Sequence, residues 1–489
     1  MTGDELMRRN NLMTNNNQTN GLGASLGRRQ FLRRAGAASV AASVTMTGLR
    51  VAPADALTCG PLGNRSLVCI HLDGGADGFN MYSPLETSQS GSTWDTYAAT
   101  RGPMALPRGS LIPAGNGDFG FNQNLPAFAD LFNRGDLAVV SNVGPLTGPT
   151  TPTDVQAGRR LPQSLFAHDA QARLWQTATA TVGGAAQGWG GQIAEVIDGC
   201  DNDALVSAAV SALGSSVFLS TAAGGALRLT PNQSLRRMSG YDPTQAGWYP
   251  SDQRQRVAAA LRTALDAAGS STSELERLVA GTTERAIITN AELEDVTSSA
   301  IDMARGGTLQ AQLRLVAQLI NNRDRLRMTR QVFFVTMGGW DTHGDQNRRL
   351  PVLLNKLNSA VGAFQQALGP NGLDVADSVT TFTTTDFGRT LTSNGDGTDH
   401  AWGNHAFVIG GSVNGGRHFG EIPSFATANN PDDVGTGRSF GGRLVPQFSV
   451  GQYGATLARW AGVDDEAELD AIFPDLREFD TRNLGFMLS

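Results

Sequence analysis

Three short strand-like runs in this chain end alike, and that shared ending limits the folds open to it. Leu67-Val-Cys-Ile-His-Leu72 runs into Asp73-Gly-Gly-Ala-Asp-Gly78. Val332-Phe-Phe-Val335 passes through Gly338-Gly339 to Trp340-Asp341-Thr-His343, and Val379–Thr384 leads to Asp386. Short β-branched and aromatic runs between glycine-rich breaks read as buried strands. Between them the spacing predicts helices over Leu125–Arg134, Gln163–Thr177, Leu309–Arg325, Val352–Leu368 and Phe448–Leu457. Strands alternating with such helices imply an α/β chain with a mainly parallel sheet covered on both faces. Ligands of such sheets gather beyond the carboxyl ends of the strands. If the three strands are neighbours, their acid-bearing loops converge there.

Two further strands are expected, Leu137–Asn142 and His405–Gly411. Residues 85–120, rich in Gly, Pro and Ser, read as an excursion. Residues 205–300, rich in Ala, Ser, Leu and Glu, read as a helical insertion or cap within a domain spanning 57–489.

Residues 1–56 are of another kind. Met1–Gly27 is polar and Asn-rich; then come Arg28-Arg29-Gln-Phe-Leu32, a mild Ala/Ser/Val run to Leu49, and Ala54-Asp55-Ala56. A basic region, a short apolar region and a small-residue cleavage site make a signal peptide, and the paired arginines resemble a twin-arginine (Tat) signal. The Tat translocase is thus an expected partner, and the periplasm or extracellular space the expected location. The apolar run is too short and diluted to span a membrane. The leader holds seven Arg against three acids, so its removal takes the net charge from −7 to −11. Such an acidic chain argues against nucleic acid as a partner. Cys69 falls within a strand and is expected in the core, while Cys59 and Cys200 can pair in an oxidising compartment.

Hard divalent cations take carboxylate oxygen, and zinc-like ions also take imidazole nitrogen. Only six histidines occur, and His343, His400 and His405 lie in or beside loops rich in Gly and Asp. Asp73, Asp341, His343, Asp386 and His400 are therefore candidate ligands of a divalent metal (Zn, Mn or Mg). His405 and Asp77 are candidates as further ligands or as groups orienting the imidazoles. The alternative is that these acids cap helices and these glycines make turns.

The Arg28-Arg29-Gln-Phe-Leu signal, Leu-Asp-Gly-Gly-Ala-Asp-Gly at 72–78, Gly-Gly-Trp-Asp-Thr-His at 338–343, Asp-Phe-Gly-Arg-Thr at 386–390 and Asp-His-Ala-Trp-Gly-Asn-His at 399–405 occur in order. Together they resemble the bacterial family called domain of unknown function 1501, exported proteins similar to the alkaline phosphatase and sulfatase superfamily. The likeness runs from about residue 65 to the end. It implies a three-layer α/β/α sandwich of the alkaline-phosphatase kind with one or two divalent metals. Asp73, Asp341, His343, Asp386 and His400 match ligand positions. The chain departs from the pattern in three places. The middle pair is spaced Asp-x-His, Phe387 stands where an imidazole would follow Asp386, and Ala167 stands at a serine position in Leu165-Phe-Ala-His-Asp. His168 is open to reading as a ligand, an acid/base or a satisfied polar residue. Arg389 is open to reading as a bidentate binder of a substrate oxyanion or as a structural ion pair. Two functions are implied. One is an exported metal-dependent hydrolase of a phosphate or sulfate ester, small or polymeric, with metal-bound hydroxide attacking directly. The other is a catalytically degenerate member that binds a ligand, cell-wall polymer or partner protein.

Overall fold

A computed structural model describes residues 63–85, 92–179, 187–201, 206–221, 226–231, 252–426, 430–434 and 441–488. These residues belong to one compact unit, Val44–Ser489. The expected leader and Cys59 lie outside the described residues, as does the side chain of Cys200; Cys69 is buried and unbridged.

The core is a nine-stranded sheet. In chain order its strands are β1 (Arg65–Asp73), β2 (Leu137–Gly144), β3 (Ala209–Ser211), β4 (Leu227–Arg228), β5 (Arg330–Gly338), β6 (Val379–Thr385), β7 (Asn404–Ile409), β8 (Arg417–Phe419) and β9 (Phe448–Ser449). Across the sheet they run β8-β2-β7-β6-β1-β5-β3-β4, with β9 on the end of β2. The three strands with acidic endings are adjacent: β1 pairs in parallel with β5 on one side and β6 on the other. Asp73 faces Gly338, and Leu72 faces Thr385. That level register brings Asp73, the 338–341 turn and Asp386 to one edge. Only β7 runs against its neighbours, antiparallel to both β2 and β6.

Side chains of successive strand residues point to opposite faces, so ring contacts locate both outer layers. Phe334 and Phe382 share a row with Cys69. On that side Phe382 meets Trp189 (5.4 Å) and Tyr453 (6.1 Å), from the helices Trp189–Asp201 and Val450–Ala461. Val408 is level with Phe382, so Phe407 faces the other way. It meets Phe128 (5.5 Å), from the helix Pro126–Arg134. The helices Thr308–Asn321 and Gln346–Leu368 complete that second layer. The result is the three-layer α/β/α sandwich.

Local chemistry sets the boundaries. Pro126 opens its helix where no N–H is needed, and Gly135 closes it in the left-handed region at φ 89°. Ser449 and Gln452 form a reciprocal capping box ahead of Val450–Ala461.

Two segments are richer than their composition implies. Residues 85–120 hold the helix Trp94–Arg101 and two strands that pair with each other and with Tyr82–Pro84 in a small antiparallel sheet. Residues 205–300 begin with β3 and β4, which extend the main sheet, before the helices Asp252–Gly269 and Glu274–Ser298. Strands of two or three residues are too short to show a period.

Candidate functional site

The turns that follow β1, β5 and β6 approach one another too closely for a side chain at either of two glycines. Gly74 has φ 115°, and a Cβ there would lie 2.6 Å from the Asp341 nitrogen. Gly75 has φ 82°, and a Cβ there would lie 2.4 Å from the Phe387 ring. Only glycine suits both demands. Arg389, fully buried, ties these turns together. Its Nε donates to Gly75 O (2.8 Å), its Nη1 to Thr398 O (3.0 Å), and its Nη2 to Gly74 O (2.6 Å), Trp340 O (3.2 Å) and Asp341 Oδ1.

Asp341 Oδ1 is the centre of an imidazole cluster. The Nε2 atoms of His343, His400 and His168 lie 3.2, 3.5 and 3.6 Å from it. The two nearer imidazoles face each other, Nε2 to Nε2, at 2.7 Å. Each ring is anchored through its other nitrogen. His343 Nδ1 lies 3.0 Å from Asp399 Oδ1, His400 Nδ1 lies 2.7 Å from the Phe166 carbonyl, and His168 Nδ1 lies 2.7 Å from Asp386 Oδ2. All three partners are oxygen acceptors, so each Nδ1 carries a hydrogen, and each imidazole in its neutral form presents a lone pair at Nε2. Carboxylates and carbonyls behind imidazoles orient metal-ligating histidines in this way.

The supports come from distant parts of the chain. His168 opens the helix His168–Thr177, and Phe166, just before it, has φ 72°, rare for an aromatic residue. Arg443 holds that turn: its guanidinium stacks 4.9 Å from the Phe166 ring, and its Nε donates to His400 O (2.9 Å). Phe387 is fully buried beneath the rings, 4.7 Å from His168 and 4.4 Å from His400.

Charge follows this geometry. Burial alone would raise the Asp341 carboxyl, but the hydrogen bond and charge of Arg389 outweigh it and hold the carboxyl below the ordinary range. Burial also opposes ionisation of Asp399, and hydrogen bonds from Asn394 and His343 outweigh it and lower that carboxyl. Burial lowers His400, and the Arg389 charge adds to this against the opposing hydrogen bond to the Phe166 carbonyl, which favours its neutral, ligating form.

A second group lies alongside: His71, Asp73 and Asp386 each offer a ligand atom, all within 4.8 Å of one another. Asp73 is exposed, whereas His71 and Asp386 are buried. Asp386 Oδ2 also accepts from Gly74 N (3.1 Å), and Oδ1 lies 3.3 Å from His71 Nε2. That last pair is close but poorly aligned, and Oδ1 has no hydrogen bond among the described residues. It is a polar contact only.

Of the residues expected at the site, Asp341, His343 and His400 meet in one cluster with His168, while Asp73 and Asp386 stand in the adjoining group. His405 does not join them. It lies inside β7, 3% exposed, edge-on to Phe79 at 4.8 Å, and its Nδ1 accepts from Asn142 N (3.4 Å). Burial pushes its pKa down to about 3. Asp77 is sealed in an ion pair with Arg101. Arg389 is a clamp on carbonyls, and the donors it would offer an oxyanion are already engaged. The sequence reading missed His71 and the role of Asp399. His71 was hidden inside an apolar run, although a histidine two residues before an acid was a visible signal.

A family model described as "Protein of unknown function (DUF1501)" matches residues 64–436. Among curated proteins none matches. Among solved structures, Ps i-CgsB is similar at 12% identity and TM-score 0.34, over 85% of this chain and 77% of that one. The lipoteichoic acid synthase LtaP from Listeria monocytogenes is similar at 6% identity and TM-score 0.32, over 86% and 76%. The PsFucS1 sulfatase from Pseudoalteromonas sp. is similar at 9% and 0.29, over 74% and 66%.

Proposed function

We propose, on the premise that the chain belongs to the family described as Protein of unknown function (DUF1501), that it is an exported, metal-dependent hydrolase of a phosphate or sulfate ester. One observation carries this reading: the Nε2 atoms of His343 and His400 face each other at 2.7 Å beside the Asp341 carboxylate, with both Nδ1 atoms already anchored on oxygen. Lone pairs so close repel unless a cation or a shared proton lies between them. A divalent cation suits two imidazoles whose opposite nitrogens are already anchored. Asp341, His343 and His400 would hold it. Bound there, it supplies Lewis acidity at an ester oxygen.

The protein's own groups narrow the reaction. Ala167 offers no hydroxyl, so the attacking group is water. Asp73, exposed at the open edge of the turns, is the carboxylate able to take its proton. Arg389 positions the turns and leaves the ester to other groups. Export rests on Arg28-Arg29 and the apolar run after them; no helix among the described residues is long and apolar enough to cross a membrane. Replacing both arginines by Lys should hold the precursor in the cytoplasm, and normal export of that variant refutes a Tat route.

The buried Phe387 and Ala167 favour a second reading, binding of a ligand or polymer without turnover. One experiment separates the two. The purified protein is analysed for bound metal and assayed on aryl phosphates and aryl sulfates with zinc, manganese or magnesium. Hydrolysis abolished by chelation and restored by metal supports the hydrolase. Bound metal without turnover supports the binding protein, and no bound metal removes the hydrolase.

A further inference from the structure

The turn after β6 reads Asp386-Phe387, so it carries no imidazole beside its carboxylate. The structure supplies one from another element. His168, 218 residues away, enters from the start of its helix, lies over the Phe387 ring at 4.7 Å and places Nδ1 2.7 Å from Asp386 Oδ2. Its Nε2 then lies 3.6 Å from Asp341 Oδ1, the atom that His343 and His400 also surround. Ligand atoms of His168, Asp341 and His400 all lie within 4.8 Å of one another.

We infer that His168 is the third imidazole ligand of this centre and that Asp386 works behind it, as the acceptor fixing its tautomer, instead of on the cation. This rests on the metal reading above. Asp386 is suited to the supporting part. Its Oδ2 receives His168 and the Gly74 N–H together, which leaves that oxygen little capacity for a cation. Its Oδ1 faces His71 Nε2 at 3.3 Å, and His71 Nδ1 lies 3.0 Å from Thr384 Oγ1. His71 thus packs behind Asp386, within reach of Thr384 and in polar contact with the carboxylate without a hydrogen bond to it, and is a positioning residue. Three imidazoles and one carboxylate form a nitrogen-rich donor set, which selects zinc-class ions over magnesium, a cation that prefers oxygen and keeps its waters.

The test uses the full chain, loaded with zinc or cobalt(II), with affinity read by chelator competition and coordination read from the cobalt visible spectrum. His168→Ala should weaken zinc binding by more than about 100-fold and shift the cobalt bands, whereas Asp386→Asn should weaken it about 10–100-fold without shifting them. Because Asp386 acts through His168, the double variant His168→Ala/Asp386→Asn should bind zinc no more weakly than His168→Ala alone. His71→Phe, which keeps the stack on Phe334, should weaken binding less, and only while His168 is present. Millimolar magnesium should not displace zinc. Additive losses in the double variant would make Asp386 a ligand and overturn the inference, as would unchanged zinc affinity in His168→Ala. Either result leaves the hydrolase reading standing, whereas a wild-type chain that binds no divalent cation removes both. Thermal melting of each variant without metal separates loss of ligand from loss of fold.

Discussion

Two arginine–aspartate pairs lie on this edge of the sheet, and they differ in what surrounds the carboxylate. Arg101 and Asp77 are both sealed, with side chains 0% exposed. Arg101 also donates to Asn80 Oδ1 and Thr390 O, and Gln346 donates to Asp77 Oδ2 at 2.6 Å. Arg389 is as deeply buried as Arg101, but Asp341 is 46% exposed at its side chain. The first pair joins the 77–80 turn to the helix Trp94–Arg101 and ends there. The second presents a carboxylate whose charge is set from below by Arg389 and which is open to imidazoles and solvent above. The arginine does structural work in both pairs, and access to the acid makes one of them a site.

The sealed pair should break with the largest effect. Arg101→Met leaves Asp77 charged, buried and uncompensated, and should cost about 3–5 kcal/mol in denaturant unfolding. A cost below about 1 kcal/mol would mean that water reaches Asp77 and that the two pairs are alike.

His405 sharpens the comparison from the same sealed side, beside Phe79. Its folded pKa is pushed to about 3 from an ordinary 6.5. The folded chain therefore keeps it neutral where the unfolded chain protonates it. Stability is intact above pH 6.5 and falls as the pH drops below it, by about 2 kcal/mol at pH 5 from this group. The variant His405→Phe should lose less stability between pH 7 and pH 5 than the wild type. Parallel losses would place the acid sensitivity elsewhere.

The open pair should give the smallest change in stability. Asp341→Asn keeps an oxygen acceptor for Arg389 at a half-exposed position, so metal-free unfolding should move by less than about 1 kcal/mol. Zinc content, by contrast, should collapse. The opposite outcome, a large loss of stability with zinc retained, would make Asp341 a structural residue like Asp77.

The sheet was legible because β1 and β5 carry apolar runs, β6 is made of β-branched and aromatic residues, and each is followed by an acid. Their adjacency in register then placed Asp73, Asp341 and Asp386 together. The rest was hidden for specific physical reasons. Arg389 bonds chiefly to carbonyls of the main chain, which every residue carries, so no side-chain pattern marks its clamp. His405 stands only five residues from His400, and the break at 401–403 between two short strands turns one imidazole to the cluster and the other to the core. His168 depends on a turn in which Phe166 adopts positive φ, and that is unreadable from a phenylalanine.

The reversal of β7 has a consequence for how the site assembles. A parallel successor to β6 would need a crossover to bring the chain back to the starting edge. Because β7 runs the other way, the chain leaves β6 at Thr385, makes the short hairpin of Arg389–Ser393 with Thr398–His400, and enters β7 at Asn404 without leaving that edge. Asp386, Arg389, Asp399 and His400 thus fall within 15 consecutive residues. Their loop closures are short and entropically cheap, whereas His168 must arrive across more than 200 residues. Local contacts of this kind can form early in folding and distant ones late. In order of assembly, the centre then has a local half that can form by itself and a remote half, the turn after β1 and the helix that begins at His168, that must come to it.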